Sequence, residues 1–404
     1  MIMRKSYFAI IALGALVIAS CQKENSADLP KVDSPVFTAT LDADSDTKTV
    51  LVETVDGKKS HWESGDAIRV LNGTNIKGCD AVYTTTDDGA SATFKTDVKG
   101  FTGDAFIAMY PATPAGSAWW NASVDKIVNK LWLNDAQTAV EGGYDPNAHI
   151  AVAYTNTKEF VFKNVVALLK VSVLGTGVKS LSVSGEKIVG NFSYNTASGE
   201  VTKDTDGYYN PSKVTLSGTF TDGKDYYIAV LPGTYPEFSL SVNGITVNKK
   251  SSEVTFKSGK IYNLGSVRAP FNWGVVADFN NWDIASPALL YDTDGDGIYE
   301  LKDQSLGVNG FKFVRVPDCN WDNAFGAHNG GYKADTELKG NWYTVYTDKI
   351  SEEKIDKNIE VSDTSKNYDI YMYCFASGDW GQGLNFTVLP AGSATPSKKQ
   401  EHLK

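Results

Sequence analysis

The sequence predicts an all-β protein of tandem sandwiches, and three observations carry that prediction. Apolar and polar residues alternate in short runs, turn signals recur at short spacing, and apolar runs of period 3.6 and ten or more residues are hard to find. Short strands with frequent glycine turns are the pattern of sandwiches rather than of βαβ units. Length agrees, since 404 residues hold two or three domains at ~100–200 residues each.

In chain order, Met1 to Cys21 is an export signal. Arg4 and Lys5 form its positive start, and Tyr7 to Ala19 is an apolar run far short of the ~20 residues that span a bilayer. Val36 to Leu41 and Ala67 to Leu71 then alternate, and Ala105 to Tyr110 is a continuous apolar run ending at Pro111. Asp56-Gly57, Asn72-Gly73, Asp88-Gly89 and Thr102-Gly103-Asp104 are the turns between them. A second block opens near Phe160 with strands to Val173, then Ser180–Val183, Lys213–Leu216, Tyr226–Leu231, Phe238–Val242 and Glu253–Phe256. Gly259 to Leu264 closes it, and Arg268-Ala269-Pro270 reads as a junction. Five of the nine Trp lie beyond residue 270, which marks a third unit of different composition. The expected boundaries are a leader at 1–20, a tether at 21–34, sandwiches at 35–158, 159–268 and 269–391, and a disordered tail at 392–404.

Composition narrows the function. Lys+Arg 38 against Asp+Glu 48 gives −10, and loss of the leader leaves 36 basic against 48 acidic residues, net −12. Such a chain is a poor nucleic-acid binder. Its arginines are Arg4, Arg69, Arg268 and Arg315, so bidentate phosphate recognition is nearly absent. Aromatics reach 12%, an excess that needs a use in an extracellular, β-rich binding protein.

Ile18-Ala19-Ser20-Cys21 resembles the lipobox of bacterial lipoproteins, which implies cleavage before Cys21 and its acylation. Stable anchoring would take more than one acyl chain. The polar stretch Gln22 to Asp28 is similar to export signals of surface-exposed Bacteroidetes lipoproteins, and the expected location is the outer membrane, facing outward.

Six phrases in order, Phe37-Thr38-Ala39-Thr40, Thr47-Lys48-Thr49, Trp62 to Ile68, Tyr110-Pro111-Ala112, Phe162 to Leu169 and Gly259 to Leu264, resemble the fimbrillin (Mfa-like) family. The resemblance implies two transthyretin-like sandwiches used in a pilus or adhesin stalk. Trp62 reads as a packing residue at a sandwich end, with Asp66 bonding its own turn. One departure stands out. Residues 22–68 contain no Arg for the Arg-specific processing of polymerising fimbrillins, which favours a fixed lipoprotein.

Residues 271–390 carry three separated elements: Val275 to Trp282 ending in Phe279-Asn280-Asn281-Trp282, Phe311-Lys312-Phe313, and Trp321 nine residues later. Their order resembles starch-binding sandwiches of the carbohydrate-binding-module 48 kind and the C-terminal modules of SusE/SusF-type lipoproteins, which are immunoglobulin-like. By matching position, Trp282 and Trp321 would form an aromatic platform and Lys312 would donate to sugar hydroxyls. A pyranose has an apolar C–H face that stacks on indole, while its hydroxyls need fixed polar partners. Asn323 and Asn329 are plausible amide partners, with His328 a weaker candidate. Trp282 as a sandwich cap and Lys312 as the solvent face of a strand are the bland alternatives. Trp273, Trp342 and Trp380 read as core or rim. Two departures from the family are Ala277, where a small Gly is usual, and the Pro317–Asn320 loop, which could displace the platform.

Asp292, Asp294, Asp296 and Asp303 have EF-type calcium spacing, yet they join two strands and position twelve is not the bidentate Glu, so no cofactor is expected. Cys319 and Cys374 can pair in an oxidising compartment, or remain two core thiols. The acids are scattered through turns with no clustered pair for glycoside hydrolysis, and no nucleophile elbow, zinc His pair or phosphate loop appears, so no enzyme is expected. The sequence thus reads as a lipid-anchored surface protein that captures a polysaccharide, an α-glucan favoured, without chemistry. The alternative is a fimbrillin-like adhesin or minor pilus component gripping a host protein or glycan. Its partners are the polysaccharide, the outer membrane, and transporter or pilus components.

Overall fold

A computed structural model describes residues 33–41, 52–54, 57–59, 61–72, 80–112, 121–122, 126–205, 209–250, 252–327, 332–346, 357–376 and 382–398. Cys21 with its leader, Cys79, His328, Asn329 and Trp380 lie outside them. The all-β class holds: among the described residues the helical pieces are three 3-10 turns and the four-residue helix Ala334–Glu337.

The strand Phe106–Tyr110 is buried at all five positions, and its alternation explains why. Phe106, Ala108 and Tyr110 point into a first core with Phe37, Trp62, Tyr83 and Phe94, while Ile107 and Met109 point into a second with Leu168 and Ile228. Side chains alternate across a strand, so a continuous apolar run is what two opposed cores require. Ala151–Thr155 pairs antiparallel with it, from Ala151 opposite Tyr110 to Thr155 opposite Phe106. It is split in the same way, with Ala151 and Ala153 facing one core and Val152 the other.

Around the first core runs a seven-stranded sheet in the order Asp80–Thr84, Ala67–Asn72, Phe106–Tyr110, Ala151–Thr155, Glu159–Asn164, Phe37–Leu41, Ser91–Phe94. Thr84 bridges Lys95, so the two edge strands meet and protect each other's free backbone groups. Trp62 is fully buried there, its indole N–H donating to the Ala39 carbonyl at 3.0 Å and its ring edge-on to Phe94, Tyr110 and Phe162. Asp66 closes its own turn by accepting from the Glu63 N–H at 2.9 Å, and its other oxygen accepts from the Tyr110 hydroxyl at 2.9 Å.

The expected division at residue 158 is corrected by this pairing. Glu159–Asn164 belongs to the first sheet, and its Phe160 and Phe162 fill the first core. Leu131 and Leu133, from the last quarter of the first expected sandwich, lie instead in the second core. Opposite the seven-stranded sheet that core is closed by three larger sheets: Val201–Lys203, Gly190–Asn195, Ile127–Leu133, Asn121–Ala122; Ala136–Thr138, Lys213–Ser217, Ser180–Ser184, Phe238–Val242, Ile245–Lys250; and Lys224–Val230, Ala167–Val173, Ile261–Val267, with the pair Gly233–Tyr235 and Val254–Phe256 adding Tyr235 and Phe256. Buried Gln137 joins two of them, donating to the Ala229 carbonyl at 2.8 Å and accepting from the Ala229 N–H at 2.9 Å, as a peptide group would.

Past Arg268 the third core begins at Phe271, under an eight-stranded sheet in the order Ala324–Phe325, Phe311–Arg315, Pro270–Ala277, Ala288–Tyr291, Tyr299–Gln304, Tyr368–Ala376, Gln382–Pro390, Tyr343–Tyr346. The tail expected to be disordered from 392 follows the sandwich as far as 398: Gly392 donates to Asp369 at 3.2 Å, and the Trp342 indole donates to the Ser397 carbonyl at 2.8 Å.

Two measurements probe this packing. Replacing Gln137 with Leu strands both backbone groups of Ala229, which should cost about 2–4 kcal/mol in urea denaturation. His149 is buried between Tyr110 and Tyr144 with neither ring nitrogen hydrogen-bonded, and burial brings its pKa down to about 3. The unfolded chain takes up that proton near pH 6.5 and the folded chain only near 3, so this contribution to stability is complete above about pH 6.5 and is lost on acidification. The loss should reach about 1.4 kcal/mol per pH unit. Asp66, whose pKa burial raises, works in the opposite sense but is common to wild type and a His149→Phe variant. The difference between their denaturation free energies should be flat above pH 7 and slope below it.

Candidate functional site

The third sandwich has two faces, and the strand Phe311–Arg315 sorts the candidate residues between them. Phe311 and Phe313 face the inner core, paired across the ladder with Ala277 and Val275. Lys312, opposite Val276, therefore takes the outer face with Val314. On that face Val276, Val314 and Ala324 form a small apolar cluster, against which Trp282, Ile284 and Cys319 pack. Lys312 is half-buried, and its stem passes Gly326, where an added Cβ would meet its Cγ at 3.5 Å.

Trp282 reaches this cluster through an unusual backbone. Pro270–Ala277 ends in the turn Asp278–Asn280, after which Asn281 and Trp282 both adopt left-handed conformations, φ 53° and 56°. A bulky non-glycine residue there is strained by roughly 1–3 kcal/mol and persists only where its surroundings hold it. Here the Trp282 N–H donates to the Ala277 carbonyl at 2.9 Å and its indole N–H to Asp278 at 2.7 Å. Asp278 also accepts from the Asn309 amide at 2.9 Å, and the Asn309 and Trp282 donors hold its carboxyl below the usual carboxylate range. Asn280 ties the same turn down by accepting from the Ala277 N–H at 2.9 Å. Gly307 makes room, since a Cβ at that position would lie 2.1 Å from the Asp278 carboxylate.

Trp321 opens the turn Trp321–Asn323 that leads into Ala324–Phe325, beside Val314. It is 50% exposed and is the sole aromatic in the exposed class among the described residues. Burying an indole releases ~25 cal/mol per Å² of apolar surface, so leaving one in water is a cost the fold does not recover alone. Asn323 ends the same turn. The Pro317–Asn320 loop supports the face, because Cys319 packs into the cluster beneath Trp282.

Other candidates separate. Trp273 is inner core against Phe325, and Trp342 stands edge-on to Tyr373 under the C-terminal segment. Cys319 and Cys374 are free thiols in different clusters, one on the outer face and one against the inner core, so of the two readings open in sequence the structure has two unpaired thiols rather than a disulfide. Asp292, Asp294 and Asp296 gather one oxygen each within 4.8 Å. Asp303 does not join them: its N–H donates to Asp369 and its carboxylate accepts from Asn367. The three loop carboxylates cap the N–H groups of Gly295, Asp296, Gly297 and Ile298, the work of a turn. Asp278 and Asn309, which aim Trp282, were not identifiable in sequence: 31 positions separate them and each sits among ordinary turn residues.

No protein-family model matches the sequence, and no curated protein matches it either. Similar solved structures include a proposed cell adhesion protein of Bacteroides uniformis, with 18% identity, 57% of this chain and 91% of that one covered, and TM-score 0.34. A proposed cell adhesion protein of Bacteroides ovatus gives 16%, 58% and 92%, with TM-score 0.35. The tip fimbrial protein Mfa3 of Porphyromonas gingivalis gives 9%, 55% and 82%, with TM-score 0.25.

The two outer tryptophans should respond differently to truncation. Trp282→Ala opens the apolar cluster and frees Asp278, and should lower stability by about 2–4 kcal/mol in chemical denaturation. Trp321→Ala should change it by less than about 0.5 kcal/mol.

Proposed function

We propose that this chain is a surface adhesin-type protein that binds and does no chemistry, and that its third sandwich makes the contact. The observation that carries the reading is the solvent-exposed Trp321, set in the chain between Cys319 and Ala324 of the apolar cluster against which Trp282 packs. Two indoles and an ammonium on a rigid sheet suit a sugar, whose C–H face stacks while its hydroxyls accept from the lysine. The fimbrillin-like phrases of residues 35–268 support a stalk role for the first two modules, and Cys21 within its lipobox supports anchoring at the outer membrane. Binding without catalysis agrees with how the acids are used: Asp66, Asp88, Asp145 and Asp292 all accept backbone N–H groups at turns.

Capture of an α-glucan is the second reading, favoured because Trp282, Lys312 and Trp321 follow one another along the chain in the order that starch-binding sandwiches use. On either reading a single site should be weak, roughly 10–1000 µM, or about −4 to −7 kcal/mol. Arrays of anchored copies would then hold a polymer or a cell surface by avidity.

The test is native affinity electrophoresis of residues 22–404 in gels with amylopectin, glycogen, dextran, xylan or no polymer, run beside a mammalian glycan array. Array binding that Trp321→Ala abolishes, with no retardation in the gels, is the expected result. Retardation by amylopectin and glycogen alone would move the assignment to α-glucan capture. Binding that survives Trp321→Ala, or its absence from both assays, would overturn this face as the contact.

A further inference from the structure

Where the second module meets the third, a cavity of about 310 Å³ opens around Arg268. Leu240, Val247 and Leu264 from the second module form an apolar wall, and Tyr291 and Thr293 of the third close the opposite side. Leu240 faces Asn248 across the ladder, so an amide borders the apolar wall. Arg268 lies in the two-residue link between Ile261–Val267 and Pro270–Ala277, where chain continuity holds its backbone on both sides. Its neighbour Ala269 packs on the second core. Gly175, at φ 71°, leaves space for the guanidinium, since a Cβ there would stand 3.1 Å from one of its terminal nitrogens.

The charge in this cavity is unanswered. Among the described residues Arg268 has no ion-pair or hydrogen-bond partner, and Tyr291 has no hydrogen-bond partner for its hydroxyl. Thr293 is engaged, its hydroxyl donating to Glu300, and that carboxylate is also paired with Lys302 at 2.9 Å. A guanidinium is a fixed fork of donors that always carries its charge, and it fits a carboxylate in a two-bond geometry. It is one of three arginines after the leader.

We propose that this junction is a binding site for a small organic carboxylate. The carboxylate pairs with Arg268, the Tyr291 hydroxyl donates to it, and an apolar body of up to about fifteen non-hydrogen atoms lies against Leu240, Val247 and Leu264. Because the walls come from two modules, an occupant ties the third sandwich to the second, and none of Trp282, Lys312 or Trp321 lines the cavity.

The test is isothermal titration calorimetry of residues 22–404 with phenylacetate, 4-phenylbutyrate and 8-phenyloctanoate, each paired with its primary amide. The expected result is saturable binding of at least one acid, its amide at least tenfold weaker, and the same tenfold loss for the acid in Arg268→Gln. Thermal denaturation of Arg268→Gln should match wild type in the absence of ligand, which separates a lost site from a lost fold. Should the variant unfold early, Tyr291→Phe serves in its place, with a smaller expected loss of about three- to tenfold. Equal binding of acid and amide, binding unchanged in the variants, or no saturable binding of any acid up to 10 mM would overturn the site. None of these outcomes bears on glycan binding at Trp321, which is read on the electrophoresis gels and the array.

Discussion

Burial of one antiparallel strand pair on both its faces is the constraint on which the first two modules depend. Phe106–Tyr110 and Ala151–Thr155 have no solvent side: one set of residues closes the core around Trp62, and the other set closes the core around Leu168 and Ile228. A one-residue slip would exchange the two sets, sending Phe106 and Tyr110 into the space shaped for Ile107 and Met109. Register in this pair therefore fixes both cores together, and neither module can be repacked independently. The polar groups inside respect the same limit. Gln137 supplies the hydrogen bonds that Ala229 would otherwise lack, and Asp66 is held by Glu63 and Tyr110. His149 departs from that limit, as does the hydroxyl of Tyr144 beside it: the imidazole is buried neutral between two tyrosines, where its ring fills space and its nitrogens go unpaired.

The third sandwich solves a different problem, which is to keep an outer face partly apolar without losing the sheet. Its inner face is a continuous aromatic core of Phe311, Phe313, Phe325 and Phe386. The small outer cluster of Val276, Val314 and Ala324 is covered by Trp282, whose backbone strain is offset by the carbonyl of Ala277 and the carboxylate of Asp278. Trp321 beside it is left in water. One indole thus completes the fold and the other stays half exposed, although in the sequence both are isolated tryptophans after a polar turn. The junction at Arg268 adds a third kind of environment, a charge placed by the chain between an apolar wall and two hydroxyl side chains and given no counter-ion among the described residues.

The strands themselves were legible because their cause is local. Glu159–Asn164, Lys213–Ser217 and Phe238–Val242 alternate in burial as they alternate in polarity, and the continuous run ending at Tyr110 is buried on both faces as its composition requires. The outer-face position of Lys312 was also legible, since an apolar-Lys-apolar triplet must send the lysine away from its flanking phenylalanines. What local pattern alone determined is therefore the all-β class, many of the strands in the first two modules, the acids' work in turns, and which face of its strand Lys312 takes. Tertiary structure decided the rest: that Glu159–Asn164 completes the first sheet while Ile127–Leu133 joins the second core, that Cys319 and Cys374 lie in separate clusters, that Asp303 leaves the acidic loop, and that Trp282 is fastened while Trp321 is free. The physical reason is common to these cases. Each depends on contacts between residues tens of positions apart, whose partners are chosen by how whole sheets stack, and alternation along a strand contains no information about which sheet will lie against it.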